Sequence, residues 1–422
     1  EPIIYANVSL LNTSFGSTTD DNGYFIFPNV PSGDYVLQVN FMGYETKSLS
    51  VQIKNGKMVF LEQDKAVIKN VLKIRLSTNN QELQVVELNV DKDENKTNVN
   101  NSVIKLSVKN LEKLPSLGGE VDLAQFFQVL PGVVFTGDQG GKLYIRGGAP
   151  IHNKVLLDGM IIYSPFHSIG LFSVFDTDII RNTDVYTGGF NAEYGGRISS
   201  IMDIRTIDGN KKDIGGKVSA NTFGSKLFLE GPLSNSGSSS FVFSGKTSYL
   251  DKSSDLFYKY PILYFDEKGL PYSFTDLYGK LSSKGKNGSK ISFFGFNFRD
   301  NVNYENISEL QWESKGLGSE FILIPSGSPV LIEGNFAWSS YDISLDEESS
   351  PLRKSGIQGF NMGFDFTYFQ PKSKIKYGFD IHGFSTEFLT YNSVNSKIEQ
   401  NENTSEFSAY INYQLTNTRL II

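Results

Sequence analysis

Phe360, Met362, Phe364, Phe366 and Tyr368 are spaced two residues apart and alternate with Asn361, Gly363, Asp365 and Thr367. Successive side chains of an extended chain point to opposite faces, so this spacing dictates a strand with one apolar and one wet face. The pattern returns twice. Ile375, Tyr377, Phe379 and Ile381 oppose Lys376, Gly378, Asp380 and His382, and Phe407, Ala409, Ile411, Tyr413 and Leu415 oppose Ser408, Tyr410, Asn412 and Gln414. Short polar turns at Ser234–Ser239, Gly285–Ser289, Ser326–Ser328 and Pro371–Ser373 alternate with longer loops expected at Asp251–Ser273, Tyr304–Ser308, Leu345–Lys354 and Tyr391–Ser405. A soluble sandwich shares the alternation, but short turns at one end and longer loops at the other are the pattern of an outer-membrane barrel. About ten such strands are expected after residue 209.

Composition removes several classes of function. The 422 residues carry 46 acidic and 39 basic side chains, a formal net charge of -7, which argues against a nucleic-acid partner. With no Cys and three His, disulfides, thiolate zinc sites and thiol catalysis are excluded, and a histidine metal cluster has little to draw on. There is no apolar run of about 18 residues, hence no transmembrane helix, while a β-barrel stays open. No Ser-centred elbow and no His-Glu-x-x-His pair occurs, so the chain is read as no enzyme and as needing no cofactor. Gly147-Gly148 and Gly188-Gly189 lack the residues of a phosphate loop and read as tight turns. His152 and His167 would need further metal ligands to which nothing points, and Asp346-Glu347-Glu348 reads as a solvated acidic tip before it reads as a calcium site.

Residues 1–76 read as a small β-sandwich, with strand patterns at Tyr5–Leu11, Gly23–Phe27, Tyr35–Val39, Lys47–Ile53 and Leu72–Leu76 and a hairpin signal at Asn55-Gly56. The series Asp21-Asn22-Gly23-Tyr24-Phe25, Pro31-Ser32-Gly33-Asp34-Tyr35 and Gly43-Tyr44 resembles the carboxypeptidase regulatory-like domain, which implies a non-catalytic accessory module whose first strand would precede Glu1. Residues 77–101 form a polar linker around the apolar island Leu83–Val90, which is either a peptide that adds to a partner's sheet edge or the last strand of the first domain.

Residues 102–209 read as mixed α+β, with short helices at Leu123–Val129 and Phe175–Arg181 and short strands at Lys142–Arg146, Lys154–Leu157, Asp184–Thr187 and Ser200–Arg205. Leu123 with Leu130-Pro131-Gly132-Val133, then Tyr144-Ile145-Arg146-Gly147, then Val155-Leu156-Leu157-Asp158-Gly159, then Gly188-Gly189-Phe190-Asn191-Ala192-Glu193-Tyr194-Gly195-Gly196 resemble in order the plug domain of TonB-dependent outer-membrane transporters.

That resemblance implies a mainly β chain: a small N-terminal β-sandwich, a mixed α+β plug, and residues 210–422 as part of an antiparallel transmembrane β-barrel, about ten of about 22 strands. Roughly 250 further residues beyond Ile422 are then expected. It further implies that Glu82, Leu83, Gln84, Val85, Val86, Glu87 and Leu88 are the TonB box, and that Arg146 and Glu193 latch plug to barrel. Tyr163, Phe166 and His167 lie on a turn-rich loop and are expected either to face a ligand chamber or to pack on the barrel wall. The implied work is TonB-dependent active transport across the outer membrane of a Gram-negative bacterium. Its partners are TonB with the inner-membrane energising complex, a surface lipoprotein lid and outer-membrane lipid, and the first domain is periplasmic. The alternative is a plugged-barrel scaffold or assembly component that transports nothing.

Overall fold

The computed structural model describes most of residues 2–68, 72–77, 103–107, 121–136, 141–252, 270–417 and 420–421. The candidate box Glu82–Leu88 and the Asn55-Gly56 turn lie outside the described residues. No helix among those described is long and apolar enough to cross a membrane, which leaves crossing by strands untouched.

The N-terminal module is one antiparallel sheet of β1 (Asn7–Leu10), β2 (Gly16–Thr18), β3 (Gly33–Asn40), β4 (Lys47–Lys54), β5 (Lys57–Glu62) and β6 (Lys65–Ile68), in the order β2-β1-β3-β4-β5-β6. Alternate residues of these strands, among them Val8, Leu10, Leu37, Val39 and Val51, are buried on one face. Phe25, Phe27, Leu72, Ile74 and Leu76 cover that face from extended segments outside the sheet. The two segments expected as strands at 23–27 and 72–76 thus supply the second layer by packing, and only partly by ladder hydrogen bonds.

The second unit contains β7 (Val103–Ser107), α1 (Leu123–Val129), β8 (Val133–Phe135), β9 (Leu143–Ile145), β10 (Asn153–Leu157), β11 (Met160–Ile161), β12 (Ile180–Tyr186) and β13 (Ser200–Thr206). Its main sheet runs β11-β10-β13-β12-β7, and β10 and β13 are its parallel pair. Helix α1 has the bounds expected from sequence: the Asp122 side chain caps it by accepting from Ala124 N at 2.8 Å, and Pro131-Gly132 follow its end. The helix expected at Phe175–Arg181 is a single 3-10 turn, Thr177–Ile179, capped by Asp176, and Ile180 onward is strand. The ladder of β12 with β13 and β7 outweighs a helical pattern of fewer than two turns.

Residues 215–421 form one antiparallel meander of eleven strands: β14 (Gly215–Ala220), β15 (Gly224–Pro232), β16 (Ser239–Ser248), β17 (Tyr272–Lys284), β18 (Lys290–Tyr304), β19 (Ser308–Leu323), β20 (Val330–Glu347), β21 (Ser350–Phe369), β22 (Ser373–Tyr391), β23 (Lys397–Asn417) and β24 (Leu420–Ile421). The outer face carries Leu281, Phe293, Leu317, Phe336, Phe360, Tyr377, Phe407 and Ile411, all exposed. Beyond this band the same face turns polar, with Arg299 and Lys315 both paired to Glu313. An apolar belt bounded by charge is what a lipid-facing barrel surface requires. The inner face holds the second unit, and Gly316 and Gly318 leave the space that the Phe296 and Phe294 rings occupy.

Two of the expected loops are hairpin instead. At 345–354 only residues 348–349 separate β20 from β21, and at 391–405 only residues 392–396 separate β22 from β23. Strands of 18 to 21 residues exceed the ~10 that cross a bilayer, so their polar ends continue as paired hairpin beyond the apolar belt. Polar composition there mimics a loop.

Candidate functional site at the plug and wall interface

Two dipeptides of the second unit share one turn geometry, and the second of them meets the wall. Arg146-Gly147 and Asp158-Gly159 both have positive φ at successive positions (47° and 80°, 47° and 84°), the backbone of a tight mirror-image turn that Asp and Gly tolerate. In the β10–β11 hairpin this turn points Asp158 at the wall, where it is almost fully buried. Its carboxylate accepts from Tyr278 Oη at 2.5 Å, Thr206 Oγ1 at 2.6 Å, Thr206 N at 3.0 Å and Lys280 Nζ at 3.2 Å. Beside it Gly159 abuts Asn335, and its carbonyl accepts from Asn361 Nδ2 at 3.1 Å.

The same charge arrangement repeats along the interface. Lys290 Nζ lies 2.7 Å from Asp208 and 3.2 Å from Glu320, and Lys226 Nζ lies 3.0 Å from Asp176 and 2.7 Å from Asp178. Asp176 also accepts from Ser244 Oγ at 2.5 Å, and Lys217 reaches Asp178 at 3.1 Å. Mostly the wall supplies the cation and the inner unit the carboxylate. Buried charges persist only when paired and hydrogen-bonded, so these contacts fix position and orientation. Although burial opposes ionisation of Asp208, Lys290 and Lys280 hold its carboxyl well below the usual range. Asp178 is likewise lowered, its burial outweighed by Lys226 and Lys217.

Two contacts reverse the sign. Arg205 lies 3.0 Å from Asp203 and 3.4 Å from Glu320 of the wall. His167, fully buried, places Nδ1 2.9 Å from Asp300 and Nε2 2.9 Å from Asp276.

Of the residues singled out in the sequence, Glu193 forms an ion pair with Lys376 of β22 and accepts from Asn191 Nδ2 at 3.3 Å. Arg146 stays within the inner unit: its guanidinium lies over Gly188, where a Cβ would collide with it, and Nη2 donates to Thr187 Oγ1 at 3.4 Å. Gly188 is therefore a platform for Arg146 and no anion loop. Phe166 is buried and meets Phe127 and Phe135 edge-on at centroid distances of 5.9 and 5.0 Å, inside the core of the inner unit. His167 packs on the wall, and Tyr163 is half-buried. Asp176, Asp208, Lys226, Lys280 and Lys290 carry no motif in the sequence, and Asp158 enters it only within Val155-Leu156-Leu157-Asp158-Gly159. The available signal was lysine at inner-face parity in otherwise amphipathic strands. Among the described residues no cluster suited to hold a metal ion occurs.

Residues 95–200 match the family described as TonB-dependent Receptor Plug Domain, and residues 1–86 match the CarboxypepD_reg-like domain. The latter range reaches into the candidate box, covering Glu82–Val86. No curated protein matches the sequence. Solved structures share the fold. The FrpB iron transporter of Neisseria meningitidis has a TM-score of 0.56 at 14% identity, covering 75% of this chain and 56% of its own. A mutant of the ferric enterobactin receptor PfeA from Pseudomonas aeruginosa gives 0.54 at 14% identity, with 77% and 56% covered, and the copper transporter OprC gives 0.55 at 13%, with 75% and 52%. The chain spans little more than half the length of these structures. Residues 1–86 are thus similar to a carboxypeptidase regulatory-like domain and residues 95–200 to a TonB-dependent receptor plug domain, and the chain shares its fold, a plug-like unit against a partial barrel, with these solved transporters and receptors.

Proposed function

We propose that this chain works in TonB-dependent active transport of a ligand across the outer membrane. The observation that carries this reading is the Asp158, Thr206, Tyr278 and Lys280 contact: a folded plug whose backbone runs into the wall through residues 207–214 is held against the other strands by hydrogen bonds and ion pairs. Such contacts hold a closed state firmly, yet they can exchange for water when the plug is pulled. In this reading TonB, energised from the inner membrane, pairs with Glu82–Leu88 by strand addition and draws on the plug, and the regulatory-like domain lies in the periplasm. Glu193 with Lys376 is a releasable latch, and Arg146 acts by stiffening the plug around it. A surface lipoprotein closing the outer mouth completes the assembly. Deleting residues 82–88 in the membrane-inserted protein tests the proposal. Uptake by cells should be lost while ligand binding at the surface is kept; undiminished uptake overturns it.

A further inference from the structure

Loop 162–175 of the plug ends its excursion at one side chain. The His167 ring is stacked on Phe274 at 3.9 Å and 12° and lies 5.7 Å from the Trp312 ring at 16°, so β17 and β19 sandwich it. Its two nitrogens reach separate wall carboxylates, Asp300 of β18 and Asp276 of β17, at 2.9 Å each. The next residue joins the same contact: Ser168 N donates to Asp300 Oδ2 at 3.1 Å, and Trp312 Nε1 donates to Ser168 Oγ at 3.3 Å.

A neutral imidazole has one N–H, so one of its nitrogens would turn a lone pair toward a carboxylate oxygen. The imidazolium donates at both. The other charged and titratable groups packed around it are Lys246 of β16, 3.4 Å from Asp276, Asp122 beyond it at 4.0 Å, and Tyr341 of β20 against Trp312. Oδ1 of Asp276 and Oδ1 of Asp300 are buried with no hydrogen-bond partner among the described residues. Both donors to Asp300 therefore belong to the loop, and if the loop leaves, Asp300 is stranded.

We propose that His167 is a charged, removable latch: as an imidazolium it seats the loop tip 167–172 in a receptacle formed by Phe274, Asp276, Asp300 and Trp312, and loss of its proton frees that tip while Phe166, Ser173 and Phe175 stay in place. Burial disfavours the charged ring, but Asp276 and Asp300 outweigh it and lift the pKa above the ordinary histidine value. A histidine so raised contributes fully below its unfolded value and loses that contribution as pH rises through the folded one. The latch accordingly opens on the alkaline side, and mild acid keeps it shut. The inference concerns the plug at rest and needs no transport to be true.

The chain has two Trp and no Cys, which gives a clean readout. With Trp338→Phe in the full-length, membrane-inserted protein, Trp312 emission should be quenched by the stacked imidazolium and rise with pH, with a midpoint above about 6.5. The transition should vanish in His167→Gln. Maleimide labelling of Ile169→Cys, two residues along the same loop, expressed relative to a freely exposed cysteine at each pH because the thiolate is the reacting form, should rise severalfold across the same midpoint, be high at every pH in His167→Gln, and stay low in His167→Arg. A midpoint at or below about 6.5, or a transition that survives His167→Gln, overturns the proposal. If His167→Gln does not insert, the titration of the protein that retains His167 decides alone. Because neither readout requires TonB or ligand, failure here leaves the transport reading standing, and the reverse also holds.

Discussion

Asp158 and Lys280 form a fully enclosed ion pair, 3.2 Å apart with both side chains about 1% exposed, between a plug turn and a barrel strand 122 positions later in the chain. The lysine makes a further contact to Thr206 Oγ1 at 3.0 Å, so the pair is part of a network.

Replacing Lys280 with Met leaves the Asp158 charge buried without its cation and should cost about 3–5 kcal/mol. Asp158→Asn in the same chain should recover most of that loss, since Asn tolerates the positive φ and still accepts from Thr206. Chemical denaturation of the four variants checks this: equal and additive losses would mean that the two side chains do not interact.

Glu193 and Lys376 should behave as a pair. Glu193→Lys and Lys376→Glu each weaken plug retention, and the double exchange restores it, with a coupling of about 0.5–3 kcal/mol in a double-mutant cycle. Burial raises the Glu193 pKa, but Lys376 and Asn191 outweigh it and leave it lowered. The contribution is therefore complete above the ordinary glutamate value and is lost as pH falls through the lowered one. Plug accessibility read by hydrogen exchange around 190–196 should rise in acid, opposite in sign to the His167 loop.

Gly316→Val introduces a Cβ where the Phe296 ring lies. With the ring confined between wall and plug, strain of about 1–3 kcal/mol is expected. A lower thermal midpoint for Gly316→Val than for Gly295→Ala, which meets the end of the Leu317 side chain on the outer face, supports this assignment. Equal midpoints would count against it.

Asp122 caps α1 and also accepts from Ser173 N at 2.9 Å, tying helix to loop. Asp122→Ala should cost about 1–2 kcal/mol, more than a cap on an isolated helix, because a second donor is orphaned. Hydrogen exchange should quicken at both Ala124 and Ser173; protection lost at Ala124 alone would limit Asp122 to capping.

Local chemistry explains how much of this was legible. Phe360, Met362, Phe364 and Phe366 occupy the outer face of β21 as their spacing requires, and Asn361 and Thr367 are buried on the inner one, since side-chain alternation is a property of each strand alone. Asp122 and Pro131-Gly132 bracket α1 because capping needs only neighbours. The rest depended on pairing. Polar stretches at 345–354 looked like loop until a partner strand was present, and Phe175–Arg181 looked helical until β13 and β7 flanked it.

The sequence by itself determined a strand-rich chain, an amphipathic meander, the helix at Leu123–Val129 with its Pro131-Gly132 stop and the order of the matched segments, all of which follow from period, capping chemistry and motif. Only the tertiary structure decided which carboxylate meets which lysine, that His167 faces two aspartates, and that Arg146 turns inward over Gly188. These partners lie far apart in the chain, and no local rule selects one lysine from several of the same parity. The choice is made when plug and wall close on each other and every buried charge must find its partner.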